Sequence, residues 1–159
     1  MDRSEFANLK NYIFGSTAAI ITNTSLIVGL GSAQAGKGPI IGGLLTIAIA
    51  DNISDSLGIH MYQEAEGQGA KLSLLATALN FLARLLVSLS FMIIVLLFPC
   101  PQAMVIAVAW GLVLLTLISY LITKGRSQNP ILEIVKHLVV AVAVITLSRY
   151  AGRLIAEHF

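Results

Sequence analysis

The chain has 159 residues, 57% hydrophobic and 11% charged, with a mean hydropathy of +0.86 and a net charge of +2. A soluble domain is about 45–50% apolar and 25% charged, so this balance excludes a soluble fold and a disordered chain and fits an integral membrane protein. The single cysteine, Cys100, excludes an internal disulfide and a cysteine-rich metal site, the lack of a Lys/Arg run argues against a nucleic-acid partner, and the length leaves no room for an appended soluble enzyme.

A helix needs about 20 mostly apolar residues to cross the hydrocarbon. Five stretches qualify, so the expectation is an all-α integral membrane protein with one five-helix transmembrane domain over residues 1–159. The first ten residues, with Asp2, Arg3, Glu5 and Lys10, read as a short amphipathic helix on the membrane surface and not as a removable signal peptide. The first span runs from Tyr12 to Leu30 and carries Thr22-Asn23-Thr24-Ser25 near its middle. Gly36-Lys37-Gly38-Pro39 then ends one helix and starts the next. Gly31 to Lys37 fits seven positions of a phosphate-binding loop. Gly38 stands where the magnesium-holding Ser or Thr belongs, and the segment follows an apolar helix instead of a strand, so that reading is rejected.

The second span, Pro39 to Tyr62, holds the densest polar set: Asp51, Asn52, Ser54, Asp55 and Ser56, followed by His60, Glu64 and Glu66. Gly67-Gln68-Gly69 makes a polar turn into the third span, Leu72 to Phe98. There Ser73, Thr77, Asn80, Arg84 and Ser88 fall at helical spacing and form one stripe. Pro99-Cys100-Pro101 stops that helix. The fourth span, Ala103 to Ile122, carries the small-residue row Ala103, Ala107 and Gly111, and Gly38-x-x-x-Gly42 opens the second in the same way. Such rows let helix backbones approach closely. A polar loop from Lys124 to Pro130 leads to the fifth span, Ile131 to Ile155. All loops are short, so successive helices should pack antiparallel.

Orientation follows from loop Lys and Arg. Arg3, Lys10, Lys71, Lys124 and Arg126 lie on the N-terminal side, against Lys37, Arg149 and Arg153 on the other, which puts the N-terminus in the cytoplasm. The expected location is a bacterial or archaeal cell membrane, with an organelle membrane as the alternative.

A charge at the bilayer centre costs at least roughly 2.5–3.5 kcal/mol, so each deep polar residue needs a reason. Asp51 and Asp55 share a helix face and suit a cation or proton site. Neighbouring Asn and Ser oxygens favour hard divalent cations, and His60 widens the range to iron, manganese or zinc. Glu64 would sit at a cation-attracting entrance, or on a solvated helix end. The competing reading is that the carboxylates only hold helices together. Counting from Gln68, Asp51 lies 17 residues before the turn and Arg84 lies 16 after it, which places the two at nearly one depth. An Asp51–Arg84 pair is therefore expected, leaving Asp55 as the main metal candidate. Asn80 matches Asp55 in depth by the same count. Asn23 and Asn80 complete the set as transport-path or structural polar residues.

Phe14-Gly15 at the start of the first span, Ser54-x-x-x-Gly58 with the acidic end of the second helix, Asn80-Phe81-Leu82 in the third and Thr146 to Gly152-Arg153 in the fifth resemble the vacuolar iron transporter family. The resemblance covers most of the chain in helix order and loop length. It implies a homodimer through the first two helices that moves ferrous iron or manganese out of the cytoplasm in exchange for protons. The chain departs from that family at Ala18 and Ala19, where the first helix should carry an acid. It departs again at Asp55 and Ile59, where a Met and a Glu are expected, and it lacks the cytoplasmic metal-binding extension. Exchanging a soft Met for Asp55 would shift preference toward harder cations. The expected function is thus a divalent-metal transporter whose metal is substrate, with no permanently bound cofactor. The alternative is a non-transporting membrane scaffold. No nucleophile or cofactor motif points to an enzyme.

Overall fold

The computed structural model describes residues 3–123 and 129–158, with side chains for 15–123 and 129–158. Five helices account for nearly all of them: α1 (Arg3–Ser32), α2 (Lys37–Ala65), α3 (Ala70–Leu97), α4 (Cys100–Thr123) and α5 (Pro130–His158), with no strand among the described residues. α2 to α5 are each long and apolar enough to cross a membrane. α1 runs unbroken from Arg3, so the expected surface helix is the first part of a longer one. The side chains of Arg3, Lys10, Tyr12 and Phe14, and the polar loop over 124–128, lie outside the described residues.

α1 sits at the centre. It packs along α3, α4 and α5, and touches α2 on a remaining side. The helix with a polar run at its middle is the one most enclosed by protein, because lipid offers no partner for Asn23 or Thr24. Both are buried. Asn23 Nδ2 donates to Ala19 O at 2.7 Å and to Ser88 Oγ at 3.1 Å, and Thr24 Oγ1 donates to Ile20 O at 2.7 Å. α5 is the most peripheral helix, with only Ala141 and Gly152 buried among its described side chains.

The two ends of the bundle differ. Towards the α1–α2 and α3–α4 turns the core is apolar, built on Ile20, Ile27, Ile40, Leu44, Phe91, Val95, Ala103 and Ala107. Lys37 Nζ caps the exposed C-terminus of α3 there, donating to Leu96 O at 3.2 Å. Towards the α2–α3 turn the same interhelical space is polar. Ser73, Asn80, Arg84 and Ser88 of the α3 stripe are buried, and Thr77 is half-buried.

Small residues set how closely helices approach α1. Ala103, Ala107 and Gly111 are buried, as a packing row should be. Gly152 of α5 lies directly on α1: a Cβ there would run into the Gly29 carbonyl and come within 2.9 Å of Ser32 Cβ. In contrast, Gly38 and Gly42 are exposed with open space in front of them, so the row expected at the start of α2 is unused within the protomer. Gly152→Ala should therefore destabilise the fold by about 1–3 kcal/mol, the usual cost of overpacking, and by more if α1 cannot move aside. Thermal unfolding in detergent checks this, and an unchanged midpoint would mean that α1 and α5 do not meet at Gly152.

Candidate functional site

α2 is interrupted by a π-helical turn over Ile47–Asp51. The Asn52 backbone N–H reaches back five residues to Ile47 O, which takes it from Ala48 O, its regular α-helical acceptor. The Asn52 side chain repairs the defect: its Nδ2 donates to Ala48 O at 3.1 Å. Its other end, Oδ1, accepts from Arg84 Nε at 3.0 Å. One fully buried asparagine thus joins the irregular turn of α2 to the arginine of α3.

Arg84 is 1% exposed, and described partners surround its guanidinium. Nη2 donates to Asp51 Oδ2 at 2.6 Å, and Nη1 forms an ion pair with Asp55 Oδ2, also at 2.6 Å. Nη1 further approaches Gly15 O of α1 at 3.4 Å. The two aspartates lie one turn apart on α2, and the guanidinium fork spans the rise between them. Gly15 makes the α1 contact achievable. A Cβ at that position would collide with the Asn80 amide and come within 3.2 Å of Arg84 Cγ.

The expected Asp51–Arg84 pair is present. Asp55, matched in depth with Asn80 and expected to be the main metal candidate, is held by the same arginine at the same distance. One guanidinium against two carboxylates leaves a formal charge of −1. The side chains of Asp51 and Asp55 are 41% and 45% exposed, on a face of α2 left open among the described residues. Each carboxylate reaches Arg84 through its Oδ2, and each side chain keeps part of its surface exposed.

The other expected residues arrange themselves along the polar end of the bundle. Asn80 Nδ2 donates to Ser56 Oγ at 3.1 Å, so Ser56 and not Asp55 is its partner. His60 lies nearer the α2–α3 turn, with Nδ1 at 3.0 Å from Ser73 Oγ and 3.3 Å from Thr77 Oγ1. Its Nε2 is 3.4 Å from Glu64 Oε1. Asn23 lies on the opposite side of Arg84, beside Ser88. Among the described residues no three His, Cys, Asp or Glu side chains gather into a metal-holding group, so Asp51, Asp55, His60 and Glu64 do not form one ligand set within the protomer. Among the described residues, buried Asn23 Oδ1, Ser25 Oγ and Asn80 Oδ1 have no hydrogen-bond partner.

Sequence reasoning named Asn52 in the polar set and Gly15 in the opening of the first span, but linked neither to Arg84. Asn52 was within reach of the depth count, since it lies 16 residues before Gln68 and Arg84 lies 16 after it. Gly15 contributes a backbone carbonyl, which no residue pattern announces.

No family model matches the chain, and no curated protein matches it in sequence.

Chemically, the trio is a buried fixed cation holding two half-exposed carboxylates, the kind of group that can accept a proton or a metal ion. Arg84→Met should cost towards the lower end of the roughly 3–5 kcal/mol typical of a broken buried pair, because each stranded carboxylate keeps one side at the surface. Combining Arg84→Met with Asp51→Asn and Asp55→Asn should cost less than the sum of the separate changes. A mutant cycle read by thermal unfolding checks both statements, and strict additivity would contradict the shared ion pair.

Proposed function

We propose that the chain is a five-span membrane transporter with its N-terminus in the cytoplasm, moving a divalent transition-metal cation, iron or manganese, out of the cytoplasm in exchange for protons. The observation that carries this reading is the placement of Asp51 and Asp55, which are half-exposed on a helix face left open among the described residues and tied from behind to one buried arginine. α1, at 30 residues, exceeds the length a span needs and lies among the four other spans, which supports counting it as the fifth.

The charges make exchange feasible. Empty, the trio carries −1. A divalent ion on the carboxylates takes it to +1, and protons returning to them weaken their hold on the ion. Arg84 is the resident counter-ion that keeps the two acids tolerable at membrane depth when no metal is present. Oxygen ligands of this kind favour harder cations, manganese or ferrous iron over softer ions.

The protein works as a homodimer through the α2 face. Gly38, Gly42, Thr46, Ala50, Ser54 and Gly58 recur at every fourth residue and are all exposed, a continuous small-residue stripe beside the carboxylates. Small residues at this spacing permit close helix contact in a membrane. The contribution of α1 is narrower than its polar run implied, since Asn23 and Thr24 are turned into the protomer core.

A non-transporting scaffold is the second reading. It is favoured by the complete pairing of both acids with Arg84 and by the absence of a third ligand among the described residues.

Purified protein in vesicles with an imposed pH gradient separates the two. Wild type should take up manganese and ferrous iron, and Asp55→Asn and Asp51→Asn should each lose uptake while unfolding as cooperatively as wild type. Wild type without uptake, or variants with undiminished uptake, would leave the scaffold reading standing. For the dimer, Ala50→Cys or Ser54→Cys in a Cys100→Ser background should crosslink to a second copy in membranes. Crosslinking confined to the exposed side of α4, such as Val113→Cys, would contradict it.

A further inference from the structure

A groove of about 300 Å³ opens on the membrane-facing side of the bundle, between α1, α4 and α5, lined by Val28, Met104, Val105, Val108, Ile145 and Arg149. Five of the six are apolar; the sixth is a cation. Arg149 and Arg153 follow one another by one turn on α5 and share a face. Both are exposed, and neither is engaged by an acid among the described residues.

Their height can be read from the α1–α5 contact. Ser148 lies against Gly29, and Gly152 lies against Gly29 O and Ser32. Arg149 is therefore level with Gly29, about 4.5 Å below the end of α1. Arg153 is level with the turn that follows Ser32. A guanidinium one turn inside the end of a spanning bundle is expensive if left alone, and it bends toward the interface to find a partner. The anionic group available at that height in a bilayer is the lipid phosphate. A guanidinium grips phosphate through two parallel hydrogen bonds.

We propose that this groove binds one anionic phospholipid, its phosphate held by Arg149 and Arg153 and an acyl chain lying along Val28, Val105, Val108 and Ile145. The apolar walls match the chain, and Arg149 beside them with Arg153 one turn beyond matches the headgroup. Lys37, at the same end, is occupied with Leu96 O, so the two arginines carry the contact. The site is separate from Asp51, Asp55 and Arg84, and does not rest on the transport reading.

Full-length protein in mild detergent is incubated with phosphatidylglycerol or phosphatidylcholine of identical chains, or with glycerol phosphate. Bound lipid is counted by native mass spectrometry and its effect read by thermal shift. Phosphatidylglycerol should remain bound to wild type and raise the unfolding temperature, while phosphatidylcholine and glycerol phosphate do neither. Arg149→Gln should lose the bound lipid and the shift together, and its own unfolding should match that of lipid-free wild type, because Arg149 has no described partner to lose. Val105→Trp, which fills the groove and keeps both arginines, should also lose the lipid. Equal retention of the two lipids, retention of phosphatidylglycerol by either variant, or a matching shift with glycerol phosphate would overturn the proposal.

Discussion

A guanidinium buried in a bundle of apolar helices must find all its partners inside the protein, and Arg84 of α3 imposes that demand on two neighbouring helices at once. α2 answers with Asp51, Asn52 and Asp55, and α1 with the carbonyl of Gly15. The demand accounts for features that are odd in isolation. The π-helical turn of α2 ends at Asp51, and Asn52 then repairs the freed Ala48 carbonyl with one end of its amide while serving Arg84 with the other. Gly15 lacks a side chain where one would collide with Asn80 and crowd Arg84. Losing any of these leaves a buried polar group unpaired, the costly side of the hydrogen-bond balance.

The same demand divides the bundle into two unlike ends. The end around the α1–α2 turn is packed with Ile27, Leu44, Phe91 and Val95, and gives an ion nothing to bind. The other end carries a run of buried or half-buried polar groups from Ser73 to Ser88. Arg84 sits where the two meet. A cation or proton entering from the polar end would meet two carboxylates only half neutralised by one fixed charge, and beyond them an apolar core. That asymmetry is the physical content of the proposed exchange.

Much of this was legible in the sequence. The helical class came from composition and from apolar runs broken at Gly36–Pro39, Gly67–Gly69 and Pro99–Pro101. Counting from Gln68 located the Asp51–Arg84 pair, because two antiparallel helices joined by a tight turn keep depth in register. The count went wrong for Asp55 and Asn80. It measures height and not direction around the helix: Asp55 turns up toward the fork of Arg84, and Asn80 meets Ser56. The π turn was invisible, since Ile47-Ala48-Ile49-Ala50 is an ordinary helical run and its irregularity follows from the tertiary demand on Asn52. The buried placement of Asn23 could not be told from an interface position, because both satisfy the rule that polar groups avoid lipid. The row Ala103, Ala107 and Gly111 and the row Gly38 and Gly42 look alike in sequence, yet only the first is covered within the protomer.

The central claim is that one arginine side chain is immobilised between two carboxylates. Nitrogen-15 spectra of arginine-labelled protein in lipid nanodiscs test it most directly. The account predicts two separate Nη resonances for Arg84, with slowly exchanging protons and arrested rotation about the Cζ–Nε bond. In Asp55→Asn the environment of one Nη should change while the other persists. A single averaged Nη signal with fast proton exchange in the wild-type protein, like that of a solvated arginine, would contradict it.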